Sequence, residues 1–433
     1  MRRTALDFLK NWKNHPLRKP LILRGARQVG KSWLVKEFGK DFSHFVEINF
    51  EKDETVKALF EGDLDVTSLI KRLSLYTGTQ IIAGETLLFL DEVQVCERAL
   101  VALRFFKEEL PLLHVIAAGS LIDFTLENIG LPVGRVQFLY LYPLSFQEFL
   151  LANKRDDLIS YIAEQKNDVT LHKMLLELVN IYSCIGGLPS VVKTWLDHND
   201  LTLCQSVQDE ILLSYRQDFN KYTKTRQLMN VERVFANIPA QLSEKFTYTK
   251  IDRDLKAASL KEALLLLQKA GVAHIVYHSA AQALPLAATM NEKRFKVYFF
   301  DIGLAQRLLG LNLKDWLFQS FNAQHLGAIT EQLVIQEYIA YISVSSPPEL
   351  YYWHREEKNS NAEVDFIFIK ESEIIPVEVK ATRGGALKSL QQFFIAHPHL
   401  SKALKISEQP FLQHDNLEQI PFYAIEPWIN SKA

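Results

Sequence analysis

The chain is poor in cysteine: Cys96, Cys184 and Cys204 are the only three in 433 residues, odd in number and far apart. That pattern excludes a disulfide framework and a zinc knuckle, and it fits a reducing cytosol. Long hydrophobic runs are missing as well. Nothing approaches the roughly 18 apolar residues that span a bilayer, so no membrane partner is expected. The pair Arg2-Arg3 leads into polar Asn11-Trp12-Lys13-Asn14 and not into an apolar stretch. No secretory leader is read there, and a cytoplasmic location is expected. Net charge is nearly absent, at −2, which argues against strong global attraction to nucleic acid. The balance is uneven, because residues 1–40 carry eleven Lys or Arg against Asp7 and Glu37, a local +9. Low-complexity stretches and internal repeats are absent too, and 48% hydrophobic content over this length suffices for about two to four domains.

What is present begins with Gly25-Ala26-Arg27-Gln28-Val29-Gly30-Lys31-Ser32, directly after the apolar run Pro20-Leu21-Ile22-Leu23. This is G-x-x-x-x-G-K-[ST] in the strand-then-loop context of a phosphate-binding P-loop, so ATP with Mg²⁺ is the expected ligand. Gly25 and Gly30 open backbone conformations that let successive N–H groups, those of Ala26, Arg27, Gln28 and Val29 among them, converge on a phosphate. Lys31 reaches the β- and γ-phosphates, and Ser32 offers its hydroxyl to the metal. Residues 32–38 read as a helix whose positive end faces the anion. Arg24 and Arg27 add local positive charge, either toward phosphate or as solvated side chains.

The second acidic motif narrows the class. Thr86-Leu87-Leu88-Phe89-Leu90-Asp91-Glu92 is a continuous apolar strand ending in two carboxylates, the pattern of a buried parallel strand. Asp91 is suited to hold Mg²⁺ with Ser32, and Glu92 to orient or deprotonate water. The pair favours ATP hydrolysis, and no guanine-reading N-K-x-D occurs. Phe45–Phe50, Leu113–Ala118 and Val136–Leu141 are further strand candidates separated by helical patterns, which implies an α/β domain with a parallel sheet in three layers. Ser120, after Gly119, is a candidate sensor of the γ-phosphate or the lytic water. Arg135 is a candidate charge donor to this site or a neighbour's, with a strand-edge salt bridge as the alternative.

After residue 150 the pattern turns helical to about 220, broken by Gly186-Gly187-Leu188-Pro189, and reads as a helical lid with either a hinge or a tight turn at the glycines. Residues 231–278 resemble a winged helix, with Ser259 and Glu262 at capping-box spacing and His274–His278 as a strand. Basic side chains are sparse on its helix, so packing between domains competes with DNA binding. From Leu326 the order is helix, three strands, helix, strand. There Asp365 precedes Glu378-Val379-Lys380, and Glu331 lies on the preceding helix. The bare E-x-K carries nothing, recurring at Glu164-Lys166 and Glu356-Lys358. The arrangement carries more: charges that interrupt a buried-type strand are expected to be paired or metal-bound. Glu331, Asp365 and Glu378 are therefore candidate ligands of a second divalent metal, Mg²⁺ or Mn²⁺, with Lys380 to orient or help deprotonate water.

The loop at Gly25–Ser32, Leu90-Asp91-Glu92-Val93-Gln94, Gly119-Ser120, Gly134-Arg135, Pro143-Leu144-Ser145-Phe146, Gly186-Gly187-Leu188-Pro189 and Phe300-Asp301-Ile302-Gly303-Leu304 together resemble bacterial and archaeal AAA-type P-loop ATPases that carry a C-terminal domain of uncharacterised function. The resemblance covers nearly the whole chain. It implies an AAA-like ATP-binding domain over 1–150, a helical lid over 151–225, a winged-helix connector over 226–315, and over 316–433 a restriction-endonuclease-like domain similar to PD-(D/E)xK nucleases. Glu331, Asp365, Glu378 and Lys380 match that superfamily's acidic helix residue, strand aspartate and E-x-K. No proline precedes Asp365, whose neighbour is Val364. The expected function is Mg²⁺-dependent ATP hydrolysis coupled to a nuclease-like domain acting on DNA. The rival is a nucleotide-gated switch or scaffold whose C-terminal domain is an inert interaction module. A homo-oligomer is compatible with either.

Overall fold

The computed structural model describes residues 1–62, 64–119, 122, 126, 134–219, 225–311, 323–342, 344–355, 362–381 and 387–431. The chain divides into two compact units: Met1–Tyr142 with Ser343–Pro347, and Pro143–Ile342 with Pro348–Ala433.

The first unit is built on five parallel strands, β1 (Leu21–Arg24), β2 (His44–Asn49), β3 (Thr86–Asp91), β4 (His114–Ala118) and β5 (Gln137–Tyr140), in the order β2-β3-β4-β1-β5. β3 and β4 are buried along their whole length, which is why they read as unbroken apolar runs. Helices α1 (Ala5–Asn14), α2 (Lys31–Gly39), α3 (Val66–Thr77) and α4 (Glu97–Glu109) accompany the sheet. α1 buries Ala5, Leu9 and Trp12, spaced to fall on one helical face. α3 starts where Asp65 accepts a hydrogen bond from Ser68 N and stops at Gly78, φ +68°. Ile22, Leu88, Leu90, Val115 and Ala117 join Leu69, Leu73, Leu100 and Phe106 in one core, each of the larger side chains contributing about 1.5–3 kcal/mol by burial.

The second unit opens with helices α5 (Phe146–Ala152), α6 (Asp156–Ala163), α7 (Val169–Ile185), α8 (Pro189–His198) and α9 (Leu201–Phe219). Ser145 and Glu148 form a reciprocal capping box at the start of α5. The glycine pair joins α7 to α8 and is held from the start of the later helix Ile302–Leu308. Gly187 N donates to Asp301 Oδ2 (2.7 Å), whose other oxygen caps Leu304 N (2.9 Å). A Cβ on Gly186 would meet Asp301 at 2.3 Å, and one on Gly187 would meet Leu144 O at 2.2 Å. Two of the motifs quoted above are thus halves of one interlock. α10 (Thr225–Asn237) and α11 (Ala257–Lys269) follow. The capping box expected at Ser259 and Glu262 does not form: the N-cap is Lys256, three residues earlier, and Ser259 N already donates to Lys256 O.

Strands β6 (Ala273–Ser279) and β7 (Met290–Phe299) form a hairpin, and helix α12 (Ile302–Leu308) follows them. After α13 (Ala323–Ile342) come β8 (Tyr351–His354), β9 (Glu363–Lys370), β10 (Glu373–Lys380), α14 (Lys388–Ala396), β11 (Ala403–Ser407), β12 (Leu412–His414), β13 (Leu417–Pro421) and α15 (Ile425–Asn430). All eight strands make one mixed sheet, β12-β13-β11-β10-β9-β8-β6-β7. The hairpin expected to close a separate winged-helix connector pairs through β6 with β8 in parallel, Tyr277 opposite Tyr351, so the boundary expected at residue 315 runs through a single sheet. Trp353, Val364, Ile367, Ile374, Leu390 and Phe393 pack together beneath it. Cys96, Cys184 and Cys204 are free and buried. Among the described residues no helix is long and apolar enough to cross a membrane.

Candidate nucleotide site and a second acidic cluster

The glycine loop leaves β1 at the edge where β3 and β4 also end, since Leu23 and Asp91 both stand opposite Ala118. Three loop residues take positive φ: Gly25 (+141°), Gln28 (+64°) and Gly30 (+96°). Gly25 is doubly constrained, because a Cβ there would lie 2.1 Å from Leu141 O. Ala26 and Val29 are buried and anchor the loop, while Gln28 is exposed and Arg27 half-buried. Arg3, a buried guanidinium, donates to Val29 O (3.0 Å) and Tyr142 O (2.7 Å), tying one loop carbonyl to the end of the unit. Gly30 gives α2 no side-chain cap, so its first N–H groups remain for an anion. Lys31 Nζ donates to Gly25 O (2.8 Å) and Ala26 O (2.9 Å). Burial pushes its pKa down to about 8, against the opposing pull of Glu92 and Asp91.

Across from it Asp91 closes β3. Ser32 Oγ donates to both its oxygens at 3.1 and 3.2 Å, and Asn49 Nδ2 to Oδ2 at 3.0 Å. Burial, then the Glu92 charge, raises the Asp91 pKa above the usual carboxylate range, the condition of an acid awaiting a cation. A Mg²⁺ ion fits this donor set: a hydroxyl and a carboxylate, hard oxygens already converged. Glu92 sits at φ +51°, and its Oε2 accepts from Gln94 Nε2 (2.8 Å). Gly119 makes room for this, since a Cβ there would fall 1.9 Å from Gln94 Oε1. Ser120 lies outside the described residues. Arg135 precedes β5, whose first residue Gln137 pairs with the first residue of β1. It therefore stands at the end of the sheet opposite the loop, roughly 10 Å of strand away, and is paired with Glu108 (3.0 Å). The structure does not bring Arg135 to the glycine loop of its own subunit. Sequence reasoning missed Asn49 and Gln94. The signal was there for Asn49, a polar end to a strand whose register sets it beside Asp91.

The second unit brings Glu331 (α13), Asp365 (β9), Glu378 and Lys380 (β10) within electrostatic reach of one another. Asp365 Oδ2 accepts from Val379 N (2.7 Å), and Lys380 Nζ lies 2.5 Å from Glu378 Oε1. Burial raises the pKa of Asp365 far above the usual range and that of Glu378 above it. Glu378 Oε2 is buried without a hydrogen-bond partner. An unexpected residue stands among them: Lys296 of β7, wholly buried, its Nζ 2.6 Å from Glu363 Oε1 and 3.4 Å from Glu331 Oε2. Glu331 also accepts from Tyr298 OH (2.6 Å) and from Ser243 Oγ. Among the described residues no three His, Cys, Asp or Glu come together to hold a metal ion. Of the expected set of Glu331, Asp365 and Glu378, Glu331 is engaged by the ammonium, the phenol and the hydroxyl, and no second metal site is shown among the described residues.

The parallel sheet and its loop define a P-loop nucleoside triphosphatase domain. Residues 17–150 match the profile described as AAA domain. Two profiles, each described as a domain of unknown function (DUF8612 and DUF4143), match residues 176–315 and 326–426. Among solved structures the chain is similar to a Walker-type ATPase of Pyrococcus abyssi, at 15% identity over 71% of this chain and 95% of that one, TM-score 0.46. It is also similar to the Orc1 protein of Aeropyrum pernix in complex with DNA, at 11% identity over 71% of this chain and 90% of that one, TM-score 0.27. No curated protein matches.

Proposed function

We propose that the chain is a Mg²⁺-dependent ATP hydrolase whose nucleotide cycle gates its own C-terminal half, which serves as an interaction module. The observation that carries the hydrolase reading is the placement of Ser32 Oγ 3.1 Å from Asp91, with Glu92 next in the chain. Lys31 exchanges the carbonyls of Gly25 and Ala26 for the β- and γ-phosphate oxygens, and the loop N–H groups from Ala26 to Ser32 hold the rest of the triphosphate. Ser32 and Asp91 would hold Mg²⁺, which would supply charge neutralisation to the triphosphate. Asn49 keeps the Asp91 carboxylate turned toward Ser32. Glu92 orients and deprotonates the attacking water once released from Gln94, and Ser120 reads the γ-phosphate. Arg135 serves a neighbouring subunit in an oligomer. Nucleotide binding and turnover measured on Lys31→Ala and Glu92→Gln test this: the first abolishes binding, the second binds without hydrolysing. Undiminished turnover in both would remove the assignment.

What supports the module reading is Lys296 inside the acidic cluster, where the nuclease reading needs a metal. The second reading, a nuclease acting on DNA, draws support from the order α13-β8-β9-β10-α14-β11 and from the convergence of Asp365, Glu378 and Lys380. Incubating wild type and Glu378→Ala with duplex and single-stranded DNA, with and without ATP and Mn²⁺, separates the two. Cleavage lost in Glu378→Ala favours the nuclease.

A further inference from the structure

We infer that Lys296 is the resident cation of the acidic cluster in the second unit, and that its ammonium holds the place a divalent metal would take. This inference rests on the module reading of that half and gives it a physical cause. Three observations carry it. First, the Lys296 side chain is fully buried, with its ammonium between Glu363 Oε1 at 2.6 Å and Glu331 Oε2 at 3.4 Å, and 5.2 Å from the centre of the Tyr352 ring. An ammonium so enclosed by anions and an aromatic face is a permanent ligand of the site and not a visitor from solvent. Second, Glu331 has little left to offer a metal, because Oε1 serves Ser243 and Oε2 serves both Tyr298 and Lys296. Third, Glu378 Oε2 is buried without a hydrogen-bond partner, while Glu378 Oε1 is held by Lys380. One free oxygen next to Asp365 is a partial metal site, with Glu331 engaged elsewhere.

The cluster draws on both segments of unknown function. Lys296 and Tyr298 lie in the segment 176–315, and Glu331, Glu363, Asp365 and Glu378 lie in the segment 326–426. Apart, the first segment would hold the ammonium of Lys296 without its carboxylates, and the second would hold Glu331 and Glu363 without that ammonium.

The test is manganese counting by electron paramagnetic resonance on the nucleotide-free, full-length protein. Wild type is expected to bind no Mn²⁺ at the cluster. Lys296→Met is expected to gain one ion, bound on the order of tenfold or more tighter than any binding to wild type, and Lys296→Met/Asp365→Asn to lose it again. The last variant assigns the ion to the cluster and not to Asp91. A wild-type ion that disappears in Asp365→Asn overturns the inference, as does a folded Lys296→Met that gains none. Should Lys296→Met fail to fold, Lys296→Met/Glu363→Gln removes the closest pair together and carries the same two outcomes. DNA cleavage by wild type that holds no Mn²⁺ at the cluster would overturn the module reading while leaving Lys296 where it is assigned.

Discussion

The two charged sites of this chain use the same residue types to opposite ends. In the nucleotide site Lys31 donates to the neutral carbonyls of Gly25 and Ala26 and pairs with no carboxylate among the described residues. In the C-terminal cluster Lys296 and Lys380 lie against Glu363, Glu331 and Glu378. Dipoles steady an ammonium without cancelling it, so the first site keeps its positive charge for an incoming phosphate. Carboxylates cancel it, so the second has spent its charge internally. A lysine beside acids in a sequence therefore means little until its acceptor is known.

The largest expected effects separate function from stability. Glu92→Gln should lower turnover by about 10²–10⁴ while ATP remains bound, with no change in thermal stability. Lys296→Ala should do the reverse: leaving Glu331 and Glu363 buried without their cation costs about 3–5 kcal/mol, read as a lower urea midpoint, with ATP affinity of the first unit unchanged. Lys31→Ala belongs on the first side of this divide. It should abolish ATP binding yet cost only about 1 kcal/mol of stability, because the carbonyls it abandons are neutral. A Lys31→Ala protein as unstable as Lys296→Ala would break the comparison.

The same contrast marks what was legible in the sequence. β1, β3 and β4 were visible because Leu21-Ile22-Leu23, Leu87–Leu90 and Val115–Ala118 are buried on both faces, and the glycine loop because its chemistry is local, eight residues in a row. Lys296 was not visible. Arg294-Phe295-Lys296-Val297 alternates polar and apolar like a strand with its lysine in water, and only partners delivered by α13 and β9 turn that lysine inward. β12 escaped because Leu412, Gln413 and His414 are all exposed and show no alternation. The parallel pairing of β6 with β8 joins segments far apart in the chain, and no local pattern announces it. Ser259 and Glu262 had the spacing of a cap, but the box forms at Ser145 and Glu148, where the chain is extended before the helix instead of already turning.

A smaller effect should appear with pH. Burial brings the nucleotide-free Lys31 pKa to about 8, and phosphate binding requires the ammonium. ATP affinity should hold steady below pH 8 and then weaken by up to about tenfold per pH unit. The free protein should move the other way. A lysine whose folded pKa is depressed binds fewer protons than its unfolded counterpart between about 8 and the ordinary lysine value, so stability rises with pH across that window. Lys296 titrates nowhere near it, being pushed up by Glu331 and Glu363 against the effect of burial. Calorimetric ATP titrations at pH 7.5, 8.5 and 9.5 read the first trend, taken as about one unit apart. A flat affinity across the three would mean that Lys31 keeps its proton without phosphate, and that the carbonyls of Gly25 and Ala26 do more than steady it.

The smallest effect concerns Arg135, a cation that belongs to neither site. Its partner Glu108 is shared with Arg104, and all three side chains are substantially exposed. An exposed pair of this kind is worth about 0–1 kcal/mol, so Arg135→Ala should barely move the unfolding midpoint. Its position before β5, at the end of the sheet away from Gly25–Ser32, means that turnover by a single dilute subunit should not change either. Both nulls are informative because Arg135 keeps its positive charge available, as Lys31 does, through weak exposed pairing instead of burial. Turnover measured over a range of protein concentrations decides what that charge is for. A deficit in Arg135→Ala that grows with concentration identifies supply to a neighbouring subunit's site, whereas parallel curves for variant and wild type reduce Arg135 to a strand-edge salt bridge.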